Sequence, residues 1–270
     1  MMFLGEQLLF GPAIVLAISG TIALLFVDRW RAYRVVAISC VVAFVLLLVM
    51  HGKSYYIGPI YPTLYAVGAA TIDLGRVGAM RTIRISATAF VLLAFGAVIM
   101  PIGLPILPPE QMIAYTRWLG IAKATETNRG QQLELPQDYA DMLGWRDMTA
   151  AVAAIVETMS DSERAEIVLV GSNYGEAGAL EFYGPRFRLP PVVNSDGSFW
   201  FFGPGDRPGR IVVTLGEDHE SLQRVYADVQ DAGTFDGKWL VPEEHNLPIL
   251  IGRKPVTTLQ QLWPSLAGQN

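Results

Sequence analysis

Long uncharged runs dominate the first 107 residues of the chain and predict membrane helices. Four stretches contain no Asp, Glu, Lys or Arg, namely 7–27, 35–52, 54–72 and 85–109. A helix that crosses the hydrocarbon core needs about 20 mainly apolar residues. The alternative, a buried helical core of a soluble protein, is disfavoured by four such runs in one short segment. The sequence therefore predicts four transmembrane helices, at about 7–27, 35–51, 55–74 and 85–106.

The rest of the chain alternates between short apolar strands and amphipathic helices. Helices are predicted at 111–122, 145–159, 176–183 and 220–229, and strands at 166–170, 211–215 and 248–252. This order predicts a small α/β domain. The predicted organisation has three parts: a four-span transmembrane region at 1–107, a juxtamembrane helix and connector at 108–134, and an extracytoplasmic α/β domain at 135–270.

Composition and charge divide the chain in the same place. The whole chain is 51% hydrophobic and 17% charged, whereas soluble domains carry about 25% charged residues. Residues 1–107 hold seven Lys and Arg against three Asp and Glu, and the remainder holds 13 against 22. The acidic half would repel phosphate, so no nucleic-acid partner is expected. The single cysteine, Cys40, excludes an intramolecular disulfide framework.

The positive charges of the short loops predict the orientation in the membrane. Arg29, Arg31 and Arg34 follow the first run, and Arg76, Arg81 and Arg84 follow the third, whereas the loop between contains Lys53 alone. The positive-inside rule places the arginine loops in the cytoplasm. We therefore expect a multi-pass protein of the bacterial inner membrane whose C-terminal domain is extracytoplasmic. The first run is interpreted as an anchor rather than a removed signal, because no cleavage pattern follows it.

The first candidate for chemistry lies where the third run meets the outer surface. Residues 51–62 combine Lys53 with the phenols of Tyr55, Tyr56 and Tyr61. A lipid-linked phosphate held at that depth needs a cation and hydroxyl donors, which lysine and tyrosine supply. The alternative is that Lys53 only reaches the lipid head groups and the tyrosines form an interfacial aromatic belt.

Three further stretches contain residues that could carry chemistry. Residues 171–178 form a strand–glycine–helix turn, which could hold an anion or could simply be a capped turn. Residues 242–246 (PEEHN) offer oxygen and nitrogen ligands but no second histidine, so no metal site is predicted. The aromatic loop at 198–204 contains Trp200, which could be a core anchor or part of a sugar platform.

Two groups of residues resemble a known family. The first group is Gly52, Lys53, Ser54, Tyr55, Tyr56, Pro59, Tyr61, Pro62, Gly68 and Ala69. The second begins with the segment LPQDYADMLGW at 135–145 and continues through Asn173–Ala179, Phe182–Gly184, Leu189-Pro190 and Phe199–Pro204. Both are similar to segments of the prokaryotic family 39 glycosyltransferases, which are polyprenyl-phosphate-sugar-dependent membrane enzymes of the GT-C class. Phe3, Leu4, Glu6, Gln7 and Pro12 also resemble the entry to a middle span of that family.

This resemblance implies the C-terminal half of an enzyme that moves a sugar from a polyprenyl-phosphate carrier to an acceptor on the outer face. Lys53, Tyr55, Tyr56 and Tyr61 would bind the lipid phosphate, and Asn173, Tyr174, Glu176 and Trp200 would contact the acceptor side. Glu6, Asp28 and Asp73 do not match the acidic motif of the family, so no catalytic residue is assigned and the chain alone is expected to be inactive. The implied partners are a polyprenyl-phosphate-linked sugar, membrane lipid and a separate polypeptide carrying the N-terminal half. No cofactor is expected.

A function of another class remains open from the sequence. The apolar segments could simply anchor the α/β domain, which would then be a non-enzymatic, membrane-tethered binding module for an envelope partner or glycan. Loss of lipid-phosphate binding on substitution of Lys53 distinguishes the two hypotheses.

Overall fold

The computed structural model describes residues 7–73, 78–121, 127 and 131–267. The chain divides into two compact units, Met1–Gly103 and Leu104–Asn270, here called the N-terminal and C-terminal units. Glu6, Arg76 and parts of the predicted connector (122–126 and 128–130) lie outside the described residues.

The N-terminal unit consists of helices. Its α-helices are α1 (Ala13–Phe26), α2 (Arg34–Val49), α3 (Tyr61–Asp73) and α4 (Ala79–Gly103), and three 3-10 segments join or precede them (Gln7–Phe10, Asp28–Tyr33 and Ser54–Ile60). The 3-10 turn Asp28–Tyr33 continues directly into α2.

The prediction of four transmembrane helices is wrong, because among the residues that the structure describes only two helices have the required length and apolarity. These are Asp28–Val49 (22 residues, mean hydropathy 2.5) and Ala79–Gly103 (25 residues, mean hydropathy 2.3). Helices α1 and α3 have 14 and 13 residues, which at 1.5 Å per residue is about 20 Å, short of the ~30 Å hydrocarbon core. The first and third uncharged runs overestimated helix length because each opens with a 3-10 segment.

The two long helices leave their apolar side chains largely uncovered. Only 11% and 6% of their most apolar windows are buried. Phe90 and Leu93 of α4, for example, are 72% and 73% exposed. A soluble protein would bury such surfaces, so these helices indicate association with a membrane.

The short helices α1 and α3 pack on each other through glycine. A Cβ built on Gly20 of α1 would lie 2.1 Å from the Leu64 carbonyl oxygen, and one on Gly68 of α3 would lie 2.0 Å from the Leu16 carbonyl oxygen. Only glycine permits this close approach of the two backbones. Ala17, Leu24 and Leu64 complete the buried contact.

The C-terminal unit combines helices with one sheet. Its helices are α5 (Pro109–Leu119), α6 (Gln137–Ala140), α7 (Trp145–Glu157), α8 (Asp161–Glu166), α9 (Tyr174–Tyr183), α10 (His219–Gln223) and α11 (Leu259–Leu262). Its strands are β1 (Ile167–Gly171), β2 (Val192–Val193), β3 (Ile211–Leu215), β4 (Tyr226–Phe235) and β5 (Leu247–Pro255). Short 3-10 segments lie at Gly184–Phe187, Gly197–Phe202, Pro242–Glu244 and Trp263–Leu266.

The strands form a five-stranded mixed sheet in the order β2-β1-β3-β5-β4. Strands β1, β2 and β3 are parallel, β5 is antiparallel to β3, and β4 is antiparallel to β5. The prediction of a small domain with three strands is therefore wrong: the α/β part is the larger unit. The helix predicted at 220–229 ends at Gln223, and the polar residues after it form the edge strand β4.

Apolar residues on both faces of the sheet form the core. In β1, Ile167 and Leu169 face the cluster that contains Met148 and Val152 of α7, whereas Val168 faces the opposite cluster around Trp263. This alternation follows from the two-residue period of a strand. A sheet covered on both faces fixes the carboxyl ends of β1 and β3, where the second candidate site lies.

Candidate functional site

Lys53, Tyr55 and Tyr56 form an exposed cluster in the N-terminal unit. Lys53 is the residue before the 3-10 segment that contains both tyrosines, and it lies four residues after the first candidate span. Lys53 Nζ lies 5.8 Å from the centroid of the Tyr55 ring. The Tyr55 and Tyr56 rings meet edge to face with centroids 4.7 Å apart, and each residue is 56% exposed.

This cluster, here called the Lys53 cluster, can bind an anion. Lysine provides a positive charge, and two phenols at the same surface provide O–H donors. A hydrogen bond between the two hydroxyls raises the pKa of Tyr56. The backbone before the cluster turns sharply, with His51 at φ 56°.

Tyr61 does not join the Lys53 cluster. Its side chain is 4% exposed, and its hydroxyl donates to Gln7 Oε1 at 2.5 Å. Its ring stacks on Tyr65 with centroids 5.5 Å apart. Tyr61 therefore links α3 to the 3-10 segment Gln7–Phe10, and the structure gives it a packing role instead of the predicted contact with phosphate.

In the C-terminal unit, Asn173 ends the turn after β1, and Tyr174 and Glu176 lie in the first turn of α9. Asn173 is the N-cap of α9, because its Oδ1 accepts the backbone N–H of Glu176 at 2.9 Å. The backbone N–H of Tyr174 donates to Asp196 Oδ2 at 3.1 Å, and the Tyr174 side chain is exposed. Gly171 is required here because a Cβ would lie 2.4 Å from the backbone nitrogen of Ala177.

Glu176 is a buried carboxyl group at the end of this turn. It is 1% exposed, and its Oε2 accepts the backbone N–H of Ser172 at 2.6 Å. A Cβ built on Gly216, the residue after β3, would lie 2.4 Å from Oε1, so this carboxyl lies between the ends of β1 and β3. Desolvation raises the pKa of Glu176 to about 7, and the Glu244 charge adds to the rise while hydrogen bonds from Ser172 and Asn173 oppose it.

Three further carboxyl groups belong to this region: Asp141 and Glu217, which the sequence did not indicate as site residues, and Glu244, which it offered only as a metal ligand within 242–246. Burial raises the pKa of Glu244, and Asp141 contributes to the rise. Burial also raises the pKa of Glu217, with Asp218 adding to it, and burial is the largest cause of the raised pKa of Asp141. These residues are distant in sequence, and only the position of Glu217, two residues after a buried parallel strand, could have indicated a site.

Trp200 lies apart from these carboxyls and has a packing role. Its Nε1 donates to the Trp263 carbonyl at 3.2 Å, and Trp263 Nε1 donates to the Trp200 carbonyl at 3.1 Å. The rings of Phe199 and Phe202 from the same loop, with Glu181 and Arg207, line a groove of about 420 Å³ beside strand β2. Arg207 is fixed there, because its Nη1 donates to the Ile167 carbonyl at 2.6 Å.

Within the described part of the chain, no group of three or more His, Cys, Asp or Glu side chains could hold a metal ion. In the 242–246 segment, His245 Nδ1 lies 2.5 Å from Asp236 Oδ1. Glu244 lies close enough to Asp141 and Glu176 for the carboxyl charges to affect the pKa values of Glu244 and Glu176.

Comparison with known proteins identifies no relative of this chain. No protein-family model, no curated protein and no solved structure matches the chain. Function is therefore inferred from the side chains themselves.

Proposed function

We propose that the chain binds a polyprenyl-phosphate-linked sugar at the membrane surface, as the C-terminal part of a glycosyltransferase of the GT-C class. The Lys53 cluster carries this proposal: a lysine and two neighbouring phenols, all exposed, within a few residues of a candidate span. An exposed cation with O–H donors at that depth suits a lipid phosphate. The resemblance of residues 52–69 to family 39 enzymes supports the same ligand.

The remaining parts of the proposal concern the membrane and the acceptor. Arg29, Arg31 and Arg34 lie at the start of the first candidate span, so the positive-inside rule favours the outer face of a bacterial inner membrane for the Lys53 cluster, which follows the other end of that span. Asn173, Tyr174 and Glu176 are the proposed acceptor contacts. A separate polypeptide with the N-terminal half would complete the transferase.

Lys53→Ala tests the lipid-phosphate site. We expect affinity for a polyprenyl phosphate in bilayer discs to fall about tenfold, because a charge-assisted hydrogen bond contributes about 1.5–3 kcal/mol. Adding Tyr55→Phe should weaken binding further. The measurement is titration of a fluorescent polyprenyl phosphate, and the loss should shrink as salt increases.

Two matched substitutions serve as controls. Lys238 also lies over an aromatic ring, 4.3 Å from the centroid of Trp239, but in the C-terminal unit. Tyr33 is as exposed as Tyr55 but precedes α2. Lys238→Ala and Tyr33→Phe should leave the affinity unchanged. Equal affinity in the Lys53→Ala, Tyr55→Phe double variant would refute the lipid-phosphate site.

A membrane-tethered binding module is the second candidate function. The groove beside β2 favours it, since aromatic rings and charged side chains meet there in a concave surface. In this case Phe202→Ala should abolish binding of an envelope glycan to the full chain, while polyprenyl phosphate binds no better to the parent chain than to Lys53→Ala.

A further inference from the structure

The turns that follow β1 and β3 lie side by side at the carboxyl ends of these paired strands, and the place where they meet is here called the crevice. Strand β1 lies between β2 and β3 in the sheet. The chain therefore continues from β1 to β2 on one side and then crosses to β3 on the other side of β1. Open α/β sheets bind ligands at such a reversal of strand order. Ser172 and Asn173 follow β1 and Gly216 and Glu217 follow β3, and all four are partly accessible.

Two buried carboxyl groups belong to this crevice, and each has an unused oxygen atom. Glu176 is 1% exposed and Glu244 is 8% exposed. Neither Glu176 Oε1 nor Glu244 Oε2 has a hydrogen-bond partner among the described residues. Glu176 Oε1 lies against Gly216 at the end of β3. A buried acceptor without a donor costs about 1–3 kcal/mol, more when charged, so this arrangement is suited to a donor from outside the chain.

The charge around the two carboxyls is uniformly negative. Glu244 acts on Glu176, and Asp141 and Glu243 act on Glu244. Glu217 lies after β3 and is acted on by Asp218. The strongest charged influences on the pKa values of these groups are all carboxylates. A ligand that carries positive charge would relieve both the repulsion and the desolvation.

We propose that this crevice binds a ligand through a primary ammonium group held by Glu176 and Glu244. An ammonium group offers three N–H donors and no acceptor, which matches the two carboxyl oxygens that lack a donor, Glu176 Oε1 and Glu244 Oε2. A neutral polyol could donate hydrogen bonds but would not compensate the charge. A divalent cation is disfavoured because the described residues provide no group of three ligating side chains.

This inference rests on the C-terminal unit alone, so it holds or fails independently of the Lys53 cluster. Ammonium groups reach an envelope protein from two sources, a free small amine or the head group of phosphatidylethanolamine. Both present the same chemistry to the crevice.

Calorimetric titration of the full chain with ethanolamine tests the site. In phosphatidylcholine discs at pH 8, we expect ethanolamine to bind at least about tenfold more tightly than ethylene glycol, its uncharged counterpart. Glu176→Gln and Glu244→Gln should each weaken ethanolamine binding about tenfold or more. Glu157→Gln is the matched control, because Glu157 is an exposed carboxyl of the same unit, on helix α7.

A second arm separates the two sources. If the natural ligand is the lipid head group, discs that contain phosphatidylethanolamine should weaken the apparent affinity for free ethanolamine several-fold. Unchanged affinity in those discs assigns the site to a free amine. Both results support the ammonium site.

Other results would overturn it. These are equal binding of ethylene glycol, unchanged binding in both Gln variants, or binding of Mg²⁺ in place of ethanolamine. Should the variants fail to fold, thermal unfolding of the unaltered chain decides: ethanolamine must raise the midpoint at pH 8, and ethylene glycol must not.

Discussion

The two units of the chain place their apolar side chains in opposite environments. In the N-terminal unit, Phe90 and Leu93 point outward, whereas Ile167 and Leu169 of the C-terminal unit are fully enclosed. Lipid is as apolar as a protein core, so a membrane helix gains little by burying such residues against protein. Apolarity therefore has different meanings in the two halves: lipid contact in the first and core packing in the second.

Helix ends differ between the units in a related way. Ser160, Asn173, Asp218 and Thr258 cap helices of the C-terminal unit with their side chains. The described N-caps of the N-terminal unit, such as Pro12 and Tyr33, make no side-chain cap hydrogen bond. Side-chain caps matter most where helices are short, and α8, α10 and α11 have six, five and four residues.

The largest contrast should come from the same leucine substitution in both units. Leu169→Ala removes a fully buried side chain, and we expect the C-terminal unit to lose about 4 kcal/mol of unfolding free energy. Leu93→Ala should cost less than about 0.5 kcal/mol, because Leu93 contacts little protein. Urea titrations of the full chain, followed by limited proteolysis of each unit, give both values. Equal losses would contradict the assignment of α4 to lipid contact.

The buried carboxyl Glu176 should make the stability of the C-terminal unit depend on pH. Its pKa rises from 4.5 to about 7 on folding, so the folded state holds a proton that the unfolded chain releases. Stability is therefore full below about pH 4.5 and falls by about 3 kcal/mol as pH rises through 7. The raised pKa values of Glu244, Glu217 and Asp141 act with the same sign.

Glu176→Gln should remove most of this decline, since glutamine stays neutral. The measurement is the denaturation midpoint of the C-terminal unit between pH 4.5 and 8 in the absence of amines. Glu181→Gln should leave the profile as it is. A profile that stays steep in Glu176→Gln would assign the effect to the other carboxyls.

Glycine packing distinguishes α3 from α4. In Gly68→Ala, the new methyl group meets the Leu16 carbonyl, so α1 and α3 must separate and we expect a loss of about 2 kcal/mol. Gly96 of α4 has open space around its Cα, so Gly96→Ala should be neutral or stabilise the helix by up to about 1 kcal/mol. Thermal unfolding in detergent, followed by circular dichroism, measures both. A tolerated Gly68→Ala would disprove the close contact of the two helices.

The smallest expected effect concerns a cap. Ser160 forms a capping box with Glu163, and Ser160→Ala should destabilise the C-terminal unit by about 1 kcal/mol. Ser160→Gly should cost only a few tenths of a kcal/mol. Denaturant midpoints of the two variants provide the comparison, and an unchanged midpoint in Ser160→Ala would mean that the hydroxyl does not contribute as a cap.

The hydrophobic pattern of short segments was enough to predict much of the C-terminal fold. The apolar runs around Ile167 and Ile211 predicted β1 and β3, because buried parallel strands are continuously apolar. The predicted helix at 220–229 ran into the first residues of β4, and the rest of this strand was not predicted, since an edge strand has one row of polar side chains and shows no apolar run. The strand β2 has two residues and leaves too little sequence for a pattern.

The Lys53 cluster was also predictable, since neighbours in sequence remain neighbours in a 3-10 turn. Tyr61 was not, because its partner Gln7 lies 54 residues away. The position of Glu176 just after the glycine turn that follows β1 could be predicted from the sequence. Its proximity to Glu244, which is distant in the chain, could not.

The sequence by itself determined the division of the chain, the apolar helices and the local clusters, because charge content and periodicity act over a few residues. Tertiary structure alone decided which uncharged runs are long enough to cross a bilayer, since turns at Gly11 and Pro59 use part of their length. It also decided that carboxyls from separate segments share one crevice. That arrangement depends on strand order, which brings together the ends of strands that are distant in the chain.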